Sequence, residues 1–424
     1  MERCLRHERQ PLRARDEFAM PGGARGTLVH RRWLILVVLF VARTAMGFQY
    51  QTVGSVAPSL RADLGLDFAA IGALIGLYHI CGVVLSLPSG LITERLGDKR
   101  ICAGGLAAMA AGGAIMALAD RYGVAFAGRL ISGAGAILFN LVITKMTADW
   151  FARREIVLAM AVILSTWPFG IALGLFTQPL IAAAFGWRAV MLLAGAACLV
   201  SLLLVALCYG PPPEQPTPST NGAPLRRSQF PPWRIVAPVI AAGLMWGSFN
   251  AGVVGYFSFV PILLNERGGM TLAQAGALTS LALWVGMVSI PFGGLFAQRL
   301  RRPAVTIMVF CAIASGALWA IAAGAPPLLA CIVFGLAVGP PPGEITSLPT
   351  RILPPANRAS GFGVFYTCHF LLQASGPAVA GLVHDAMGGA AAVGFAAAMF
   401  LVPLPMLAVF RVLAKRGEGR SVGE

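Results

Sequence analysis

The sequence predicts an all-α membrane protein in which twelve transmembrane helices form two pseudo-symmetric six-helix bundles. Three observations lead to this prediction: an apolar composition, cationic residues confined to alternate connections, and an internal repeat. Of the 424 residues, 57% are hydrophobic and 12% are charged, whereas a soluble domain carries about 25% charged residues. The apolar runs are about 20 residues long and show no two-residue alternation, so the spanning elements are expected to be helices.

Twelve apolar runs define the candidate spans, with ends that the pattern alone fixes to within a few residues. They cover approximately residues 33–57, 69–92, 101–119, 123–147, 156–182, 189–209, 234–260, 274–297, 304–324, 328–350, 359–383 and 391–413. A stretch rich in Pro, Ser and Thr after the sixth run is typical of a linker. The expected organisation is a disordered tail (1–32), a six-helix bundle (33–209), a linker (210–232), a second six-helix bundle (233–413) and a short tail (414–424). Met20 could equally be the first residue.

Cationic residues lie in the two tails and in every second connection between spans. Lys99 and Arg100 follow the second run and Arg153 and Arg154 follow the fourth, whereas the opposite connections hold single cations such as Arg188. Under the positive-inside rule, this alternation predicts a multi-pass protein of the bacterial inner membrane with both termini in the cytoplasm. The positive-inside distribution of Lys and Arg explains the net charge of +15. Nucleic acid is therefore not an expected partner. The eight cysteines form no C-x-x-C pair, and neither a metal nor a cofactor is expected.

The two halves of the chain share a repeated pattern. Ala69–Leu74 and Ala273–Leu278 both read A-x-x-G-A-L, about 204 residues apart. Pro58 and Pro261 are expected to close the first and seventh spans at nearly the same offset. This regularity favours a duplicated six-helix unit. The third, sixth, ninth and twelfth runs have almost no polar residues, so they are expected to face lipid while the polar spans surround a water-filled cavity.

The connection after the second run carries a motif. Residues 90–100 read G-L-I-T-E-R-L-G-D-K-R and resemble the signature G-x-x-x-D-R-x-G-R-R/K of the major facilitator superfamily, from which Glu94 and Asp98 depart. Arg129-x-x-x-Gly133 in the fourth span is similar to a second motif of that family. The resemblance covers the whole membrane portion. It implies a monomeric secondary transporter, not an enzyme, that moves a small organic solute by alternating access.

A finer resemblance rests on short phrases. Trp167-Pro168-x-Gly170 in the fifth span is similar to bacterial permeases that are grouped loosely with cyanate transporters. The same phrase replaces the G-P-x-x-G-G element of drug/proton antiporters, which is incomplete here. Multidrug efflux by the same fold is the first alternative; Trp167, Trp246 and Trp284 near the midplane favour it, and the incomplete element argues against it.

The first motif also implies a gate. Glu94 and Arg95 are expected to lie near the start of the eleventh span at Arg358, where a carboxylate at a helix N-terminus would latch one half against the other. Lys99 and Arg100 are equally well explained as charges of a cytoplasmic connection. The predicted gate residues are Gly90, Glu94, Arg95, Gly97, Asp98, Lys99, Arg100, Gln298, Arg299 and Arg358.

Arg43 is the principal candidate for substrate binding. It lies about ten residues into the first span, near the middle of a hydrocarbon core about 30 Å thick. Arg43, Gly47, Tyr50 and Gly54 share one stripe of the helix. An arginine at this depth is costly without a partner, so it should face a cavity and bind either an anionic substrate or a structural partner.

Glu344 is the one carboxylate well inside a predicted span. It follows Pro340–Gly343, a run that no regular helix tolerates, and broken helices at this depth commonly line substrate or ion sites. Glu344 is expected to pair with a cationic side chain or to carry a coupled proton. His79 and Arg129 are further coupling candidates, although packing and a structural role explain them as well.

Other polar and aromatic side chains near the midplane complete the predicted site. An anion is weakly preferred as substrate because cationic side chains directed at the cavity outnumber the single acid. An intramembrane enzyme is disfavoured because Glu344 lacks an acidic partner, and a sensor would normally carry a large soluble domain. The candidate substrate-binding residues are Arg43, Tyr50, Asn140, Trp167, Trp246, Asn250, Trp284, His369 and Gln373.

Overall fold

A computed structural model of the protein describes residues 22–85, 96–151, 155–210, 232–300, 302–354 and 357–418. These residues form helices joined by short turns, and no strand occurs among them. The helices are α1 (Gly22–Ser55), α2 (Ala57–Leu64), α3 (Phe68–Leu85), α4 (Asp98–Ala117), α5 (Tyr122–Phe151), α6 (Ile156–Phe185), α7 (Trp187–Cys208), α8 (Trp233–Glu266), α9 (Leu272–Leu300), α10 (Pro303–Ala322), α11 (Pro327–Ala337), α12 (Pro341–Ile352), α13 (Arg358–Met387), α14 (Gly389–Met399) and α15 (Pro403–Glu418).

Eleven segments of the described chain are long and apolar enough to cross a membrane. They correspond to eleven of the twelve predicted spans. The remaining one is α13, a continuous helix of 30 residues whose polar side chains, including His369, Gln373 and Asp385, lower its hydropathy. On α7, the side chains of Leu192, Leu199, Leu203 and Leu207 are 48–83% exposed, as expected of a surface in contact with lipid. The all-α membrane fold is thus confirmed.

Some helix ends differ from the predictions. The first helix begins at Gly22, inside the predicted tail. Pro261 does not close the seventh span, because α8 continues through it to Glu266. A proline inside a helix removes one backbone hydrogen bond. The helix α8 continues despite this loss, because it is packed against neighbouring helices. The tenth span breaks as predicted, between α11 and Pro341 of α12. The twelfth also breaks, before Pro403, and proline in the first helical turn is well tolerated.

Close helix packing within the first seven helices depends on glycine. The helix α4 packs against α5 and α7, and α1 packs against α6 and α7. A Cβ atom added at Gly47 would lie 2.7 Å from the carbonyl oxygen of Trp167, and one added at Gly105 would lie 2.6 Å from that of Gly135. These distances leave no room for a side chain, so the backbones approach as they do at small-residue interfaces of membrane helices. Among the later helices, α8 is central and packs against α13, α14 and α15.

The largest contacts between the first seven helices and the rest are those of α3 with α13 and of α6 with α9, and α1 makes a smaller contact with α8. The helices α3 and α13 are antiparallel, and a Cβ added at Gly72 or Gly76 would overlap the carbonyl oxygen of Pro377 or Ala374. In the second pair, a Cβ added at Gly276 would lie 2.5 Å from the carbonyl oxygen of Leu175. We call the end of the molecule where α3 begins and α13 ends the Phe68 end, and the opposite end the Arg31 end. The division into two bundles remains a prediction.

Candidate functional site

Arg43 is buried on α1 without a complete set of partners. Its side chain is 8% exposed, and its Nε and Nη1 atoms have no hydrogen-bond partner among the described residues. An unpaired guanidinium in a low-dielectric interior is costly, because the desolvation of the charge is not offset by hydrogen bonds. Nε and Nη1 therefore remain available to donate hydrogen bonds.

Aromatic rings surround Tyr50, which lies two turns beyond Arg43 on the same stripe of α1. The ring centroid of Tyr50 is 5.2 Å from those of Tyr78 and Trp167 and 4.9 Å from that of His79. The ring of Phe257 from α8 is 5.9 Å away. The Tyr50 hydroxyl and Nδ1 of His79 are buried and have no hydrogen-bond partner in the described part of the chain. The rings thus form an apolar wall that carries two unused polar atoms.

The aromatic wall continues into α13 and α8. The rings of His79 and Phe370 are stacked with centroids 6.1 Å apart, and Phe370 is 4.8 Å from His369. His369 in turn stacks on Trp246 at 5.7 Å and makes a hydrogen bond to the Trp246 backbone. Nδ1 of His369 is another buried atom for which the described residues supply no partner. Predicted residues from distant parts of the sequence are thereby brought together.

Arg129, in contrast to Arg43, is fully engaged. It is 1% exposed and donates to the carbonyl oxygens of Leu74, Gln49 and Tyr50 at 3.0, 3.2 and 2.6 Å. Its guanidinium also lies 4.6 Å from the ring centroid of Tyr78. The residue therefore links α5 to α1 and α3 and positions the aromatic wall, in agreement with the structural alternative raised from the sequence.

The remaining predicted site residues are less central. Asn140 is half-buried on α5, and Gln373 is buried on α13. The Asn250 side chain donates to the carbonyl oxygen of Trp246 at 2.8 Å. Trp284, 37% exposed, meets Phe169 at 5.4 Å where α9 packs on α6. These contacts place Trp284 at the interface between two helices rather than against Tyr50.

Glu344 does not face Arg43 in an ion pair. Its carboxylate lies 3.3 Å from Nη2 of Arg351, seven residues later on the same helix. The Glu344 side chain is 15% exposed and the Arg351 side chain is 50% exposed. The pairing favours the structural alternative for Glu344, because a local cation already stabilises its charge.

Among the predicted gate residues that the structure describes, Asp98 and Lys99 form hydrogen bonds within the first seven helices. Gly97 has φ +78° and precedes α4, a conformation that glycine adopts readily. Asp98 accepts a hydrogen bond from Lys145 of α5 at 2.6 Å, and Lys99 donates to the carbonyl oxygens of Ala206 and Tyr209. Arg100, Arg299 and Arg358 are exposed. Gly90, Glu94, Arg95 and the Gln298 side chain lie outside the described residues.

A polar cluster at the Phe68 end was not anticipated from the sequence. Asp63 of α2 accepts hydrogen bonds from the Trp187 indole at 2.7 Å and from Arg188 at 2.8 Å. These two bonds lower the pKa of Asp63 below its usual range. Nearby, Asp385 of α13 accepts hydrogen bonds from the backbone of α3. The contributions of Tyr78, Phe257 and Phe370 to the aromatic wall were also missed, because an aromatic residue in an apolar span gives no pattern of its own.

The fold and this site define a class of protein. A chain of many apolar helices with leucines exposed to lipid is a polytopic membrane protein. The family model described as Major Facilitator Superfamily matches residues 39–377. The chain therefore belongs to the major facilitator superfamily and is a transporter rather than an enzyme.

The individual relatives match this chain at low sequence identity. A gallate transporter of Pseudomonas putida is 27% identical over 261 residues, which cover 60% of this chain and 54% of that transporter. The chain thus spans about half the length of that relative. A 4-hydroxybenzoate transporter of Pseudomonas aeruginosa is 25% identical over 371 residues, 78% of this chain and 81% of the relative. The crystal structure of the nucleoside transporter NupG matches with a TM-score of 0.67 at 17% identity, over 92% of this chain and 98% of NupG, and so supports the fold. The finer resemblance to cyanate transporters remains a prediction.

Proposed function

We propose that the protein carries a small aromatic monocarboxylate across the bacterial inner membrane by alternating access. The observation that carries this proposal is the buried guanidinium of Arg43, whose Nε and Nη1 atoms have no partner among the described residues. A carboxylate would pair with the charge and accept a hydrogen bond from one of these atoms, which lie on different edges of the guanidinium. Substrate binding would thereby remove the cost of an unpaired buried charge.

The aromatic wall supports a flat substrate. Trp167 and Tyr50 lie beside the stripe that carries Arg43, and Gly47, which separates Arg43 from Tyr50 on that stripe, packs on the Trp167 backbone. Rings at centroid distances of about 4.5 to 7 Å interact favourably with one another, and a planar substrate ring would extend that series. The unused polar atoms of Tyr50 and His79 would bind a hydroxyl group on the substrate ring.

The number of available buried cationic side chains fits a substrate with a single carboxylate. Arg43 and Arg129 are the buried arginines in the described chain, and Arg129 is occupied by three carbonyl oxygens. A second carboxylate would therefore lose its hydration without gaining a cation. The two relatives described above, which are a gallate and a 4-hydroxybenzoate transporter, also favour an aromatic acid.

The charge pattern supports an orientation. With the cation-rich connections in the cytoplasm, the Phe68 end would face outward and the Arg31 end inward. The described hydrogen bonds between the first seven helices and the later ones include Asp385 to the start of α3. The structure would then represent a state that is closed to the outside, and transport would require the Phe68 end to open.

Uptake into proteoliposomes tests the proposal. We expect purified wild-type protein to take up radiolabelled 4-hydroxybenzoate. The variant Arg43→Gln should raise the KM about a hundredfold, because the buried carboxylate of the substrate would lose its cationic partner. Arg43→Lys should recover only part of the affinity, because an ammonium group cannot bind a carboxylate with two parallel bonds. Imposing a pH gradient in a second arm shows whether protons are coupled.

Competitors define the substrate class. Benzoate derivatives with one carboxylate should inhibit uptake, whereas a sugar dicarboxylate and the uncharged 4-hydroxybenzyl alcohol should not. Inhibition by the neutral alcohol as strong as by the acid would contradict the role of Arg43. Transport of unrelated lipophilic cations, unaffected by Arg43→Gln, would instead support the multidrug alternative.

A further inference from the structure

The carboxylate of Asp385 joins the two parts of the molecule at the Phe68 end. Oδ1 of Asp385 accepts a hydrogen bond from the backbone N–H of Phe68 at 3.0 Å, and Oδ2 accepts one from that of Ala69 at 2.8 Å. Asp385 lies near the end of α13, and Phe68 and Ala69 are the first residues of α3. The first N–H groups of a helix lack partners within the helix and carry partial positive charge. A carboxylate that accepts two of them is therefore well placed to hold the helices together.

The neighbouring residues fit closely around this contact. A Cβ atom added at Gly381, one turn before Asp385, would overlap the carbonyl oxygen of Phe68. The ring of His384 lies 3.7 Å from that of Phe68, and the guanidinium of Arg61 lies 4.5 Å from the Phe68 ring on α3. His384 also pairs with Glu266 of α8 at 3.1 Å, which anchors the end of α13 to the later helices. The contact of His384 with Glu266 thus helps to fix the position of Asp385. The contact with Arg61 helps to fix that of Phe68.

The other side-chain hydrogen bonds between the same two parts are weaker. Among the described residues, Gln51 donates to the carbonyl oxygen of Phe257 at 3.4 Å, and Thr367 donates to that of Val83 at 3.5 Å. Both bonds are neutral and near the limit of hydrogen-bond length. The Asp385 bonds are shorter and involve a charged acceptor, which makes them about twice as strong as neutral ones.

We propose that Asp385 is the latch that keeps the Phe68 end closed and that its release from the start of α3 accompanies opening at that end. The start of α3 does not depend on the latch for its own structure, because Asp67 accepts a hydrogen bond from the N–H of Ala70 within the same turn at 2.7 Å. The helix can therefore separate from α13 without unwinding. Water can hydrate the freed N–H groups and the carboxylate, so the latch is reversible.

Distance measurements between spin labels test the latch in the full-length protein. Labels at Arg121 on the first part and Met387 on the second lie at the Phe68 end on exposed side chains. In proteoliposomes without substrate, we expect Asp385→Asn to raise the ratio of long to short distances about tenfold relative to the parent. Asp385→Glu, which keeps the charge, should shift the ratio less. Because no substrate is present, this result is independent of which solute is carried.

Asp67→Asn provides the matched control. It removes a carboxylate from the same end, but Asp67, which directly precedes α3, bonds to the first turn of that helix and not to α13, so its distances should match those of the parent. Gly381→Ala should open the same end by overlap with the Phe68 carbonyl, without any change of charge. Unchanged distances in monodisperse Asp385→Asn would overturn the proposal, and so would an equal shift in Asp67→Asn.

Discussion

Arg129 of α5 donates through Nη2 to the carbonyl oxygen of Tyr50 of α1 at 2.6 Å. Tyr50 is the residue around which the aromatic wall is assembled, so this bond connects a structural arginine to the candidate site. Arg43, two turns away from Tyr50 on the same helix, has unpaired Nε and Nη1 atoms. Two buried arginines of one chain thus differ in whether the described residues satisfy them, and this difference supports the binding role that we propose for Arg43.

Replacing Arg129 should destabilise the protein. In Arg129→Lys, a single ammonium group cannot reach three carbonyl oxygens on two helices, so buried acceptors lose their donors. We expect the free energy of unfolding to fall by about 3 kcal/mol, measured by thermal or denaturant unfolding in detergent. Arg43→Lys is the control and should leave stability nearly unchanged, since no bond of Nε or Nη1 is lost. Equal destabilisation by both substitutions would contradict the assigned difference.

The Tyr50 hydroxyl should contribute to affinity rather than to stability. Because it has no partner among the described residues, Tyr50→Phe removes no hydrogen bond to them. We expect the KM for 4-hydroxybenzoate to rise about three- to tenfold with no change in melting temperature. Tyr78→Phe is the matched variant, because the Tyr78 hydroxyl contacts the carbonyl oxygen of Met46 and Oε1 of Gln49. It should lower the melting temperature and leave the KM unchanged; the reverse pattern would refute the assignment.

The sequence was informative where a single residue conflicts with its surroundings. An arginine at the middle of an apolar span predicts an unusual environment, and Arg43 has one. Four residues that disfavour a helix, Pro340–Gly343, predict a broken span, and α11 ends at Ala337 just before them. In both cases the physical cost of the residue is evident without knowledge of its neighbours.

Partners distant along the chain were not predictable. Asp385 and Phe68 are 317 residues apart, and nothing in either segment indicates the other. Glu344 was expected to pair with a cationic side chain or to carry a proton, but the sequence did not indicate that this cation would be Arg351 on its own helix. A helical pattern tells which face is polar, whereas the neighbour of that face depends on how the helices pack. For the same reason, Phe370 could not be assigned to the aromatic wall.

Close contact between α3 and α13 should be sensitive to one added methyl group. Gly76→Ala would place a Cβ atom against the Ala374 carbonyl oxygen, so the two helices must separate. We expect the population closed at the Phe68 end to fall about tenfold, since overpacking costs about 1–3 kcal/mol, and transport to slow. Gly104→Ala is the control, because no atom lies within 4 Å of the added Cβ there and the gain in helix propensity is the same. Equal transport rates for the two variants would argue against a tight α3–α13 contact.

If uptake is driven by a proton gradient, His79 is a better carrier than Glu344. Nδ1 of His79 is buried beside Tyr50 without a partner in the described chain, whereas the carboxylate of Glu344 already has a partner in Arg351. A substrate that binds along the aromatic wall would contact both Arg43 and His79 in the proposed site, so that proton binding and substrate binding could influence each other. We expect His79→Gln to abolish stimulation of uptake by the gradient while sparing exchange of labelled for unlabelled substrate. Glu344→Gln should retain the stimulation, and its loss in that variant alone would assign the proton to Glu344 instead.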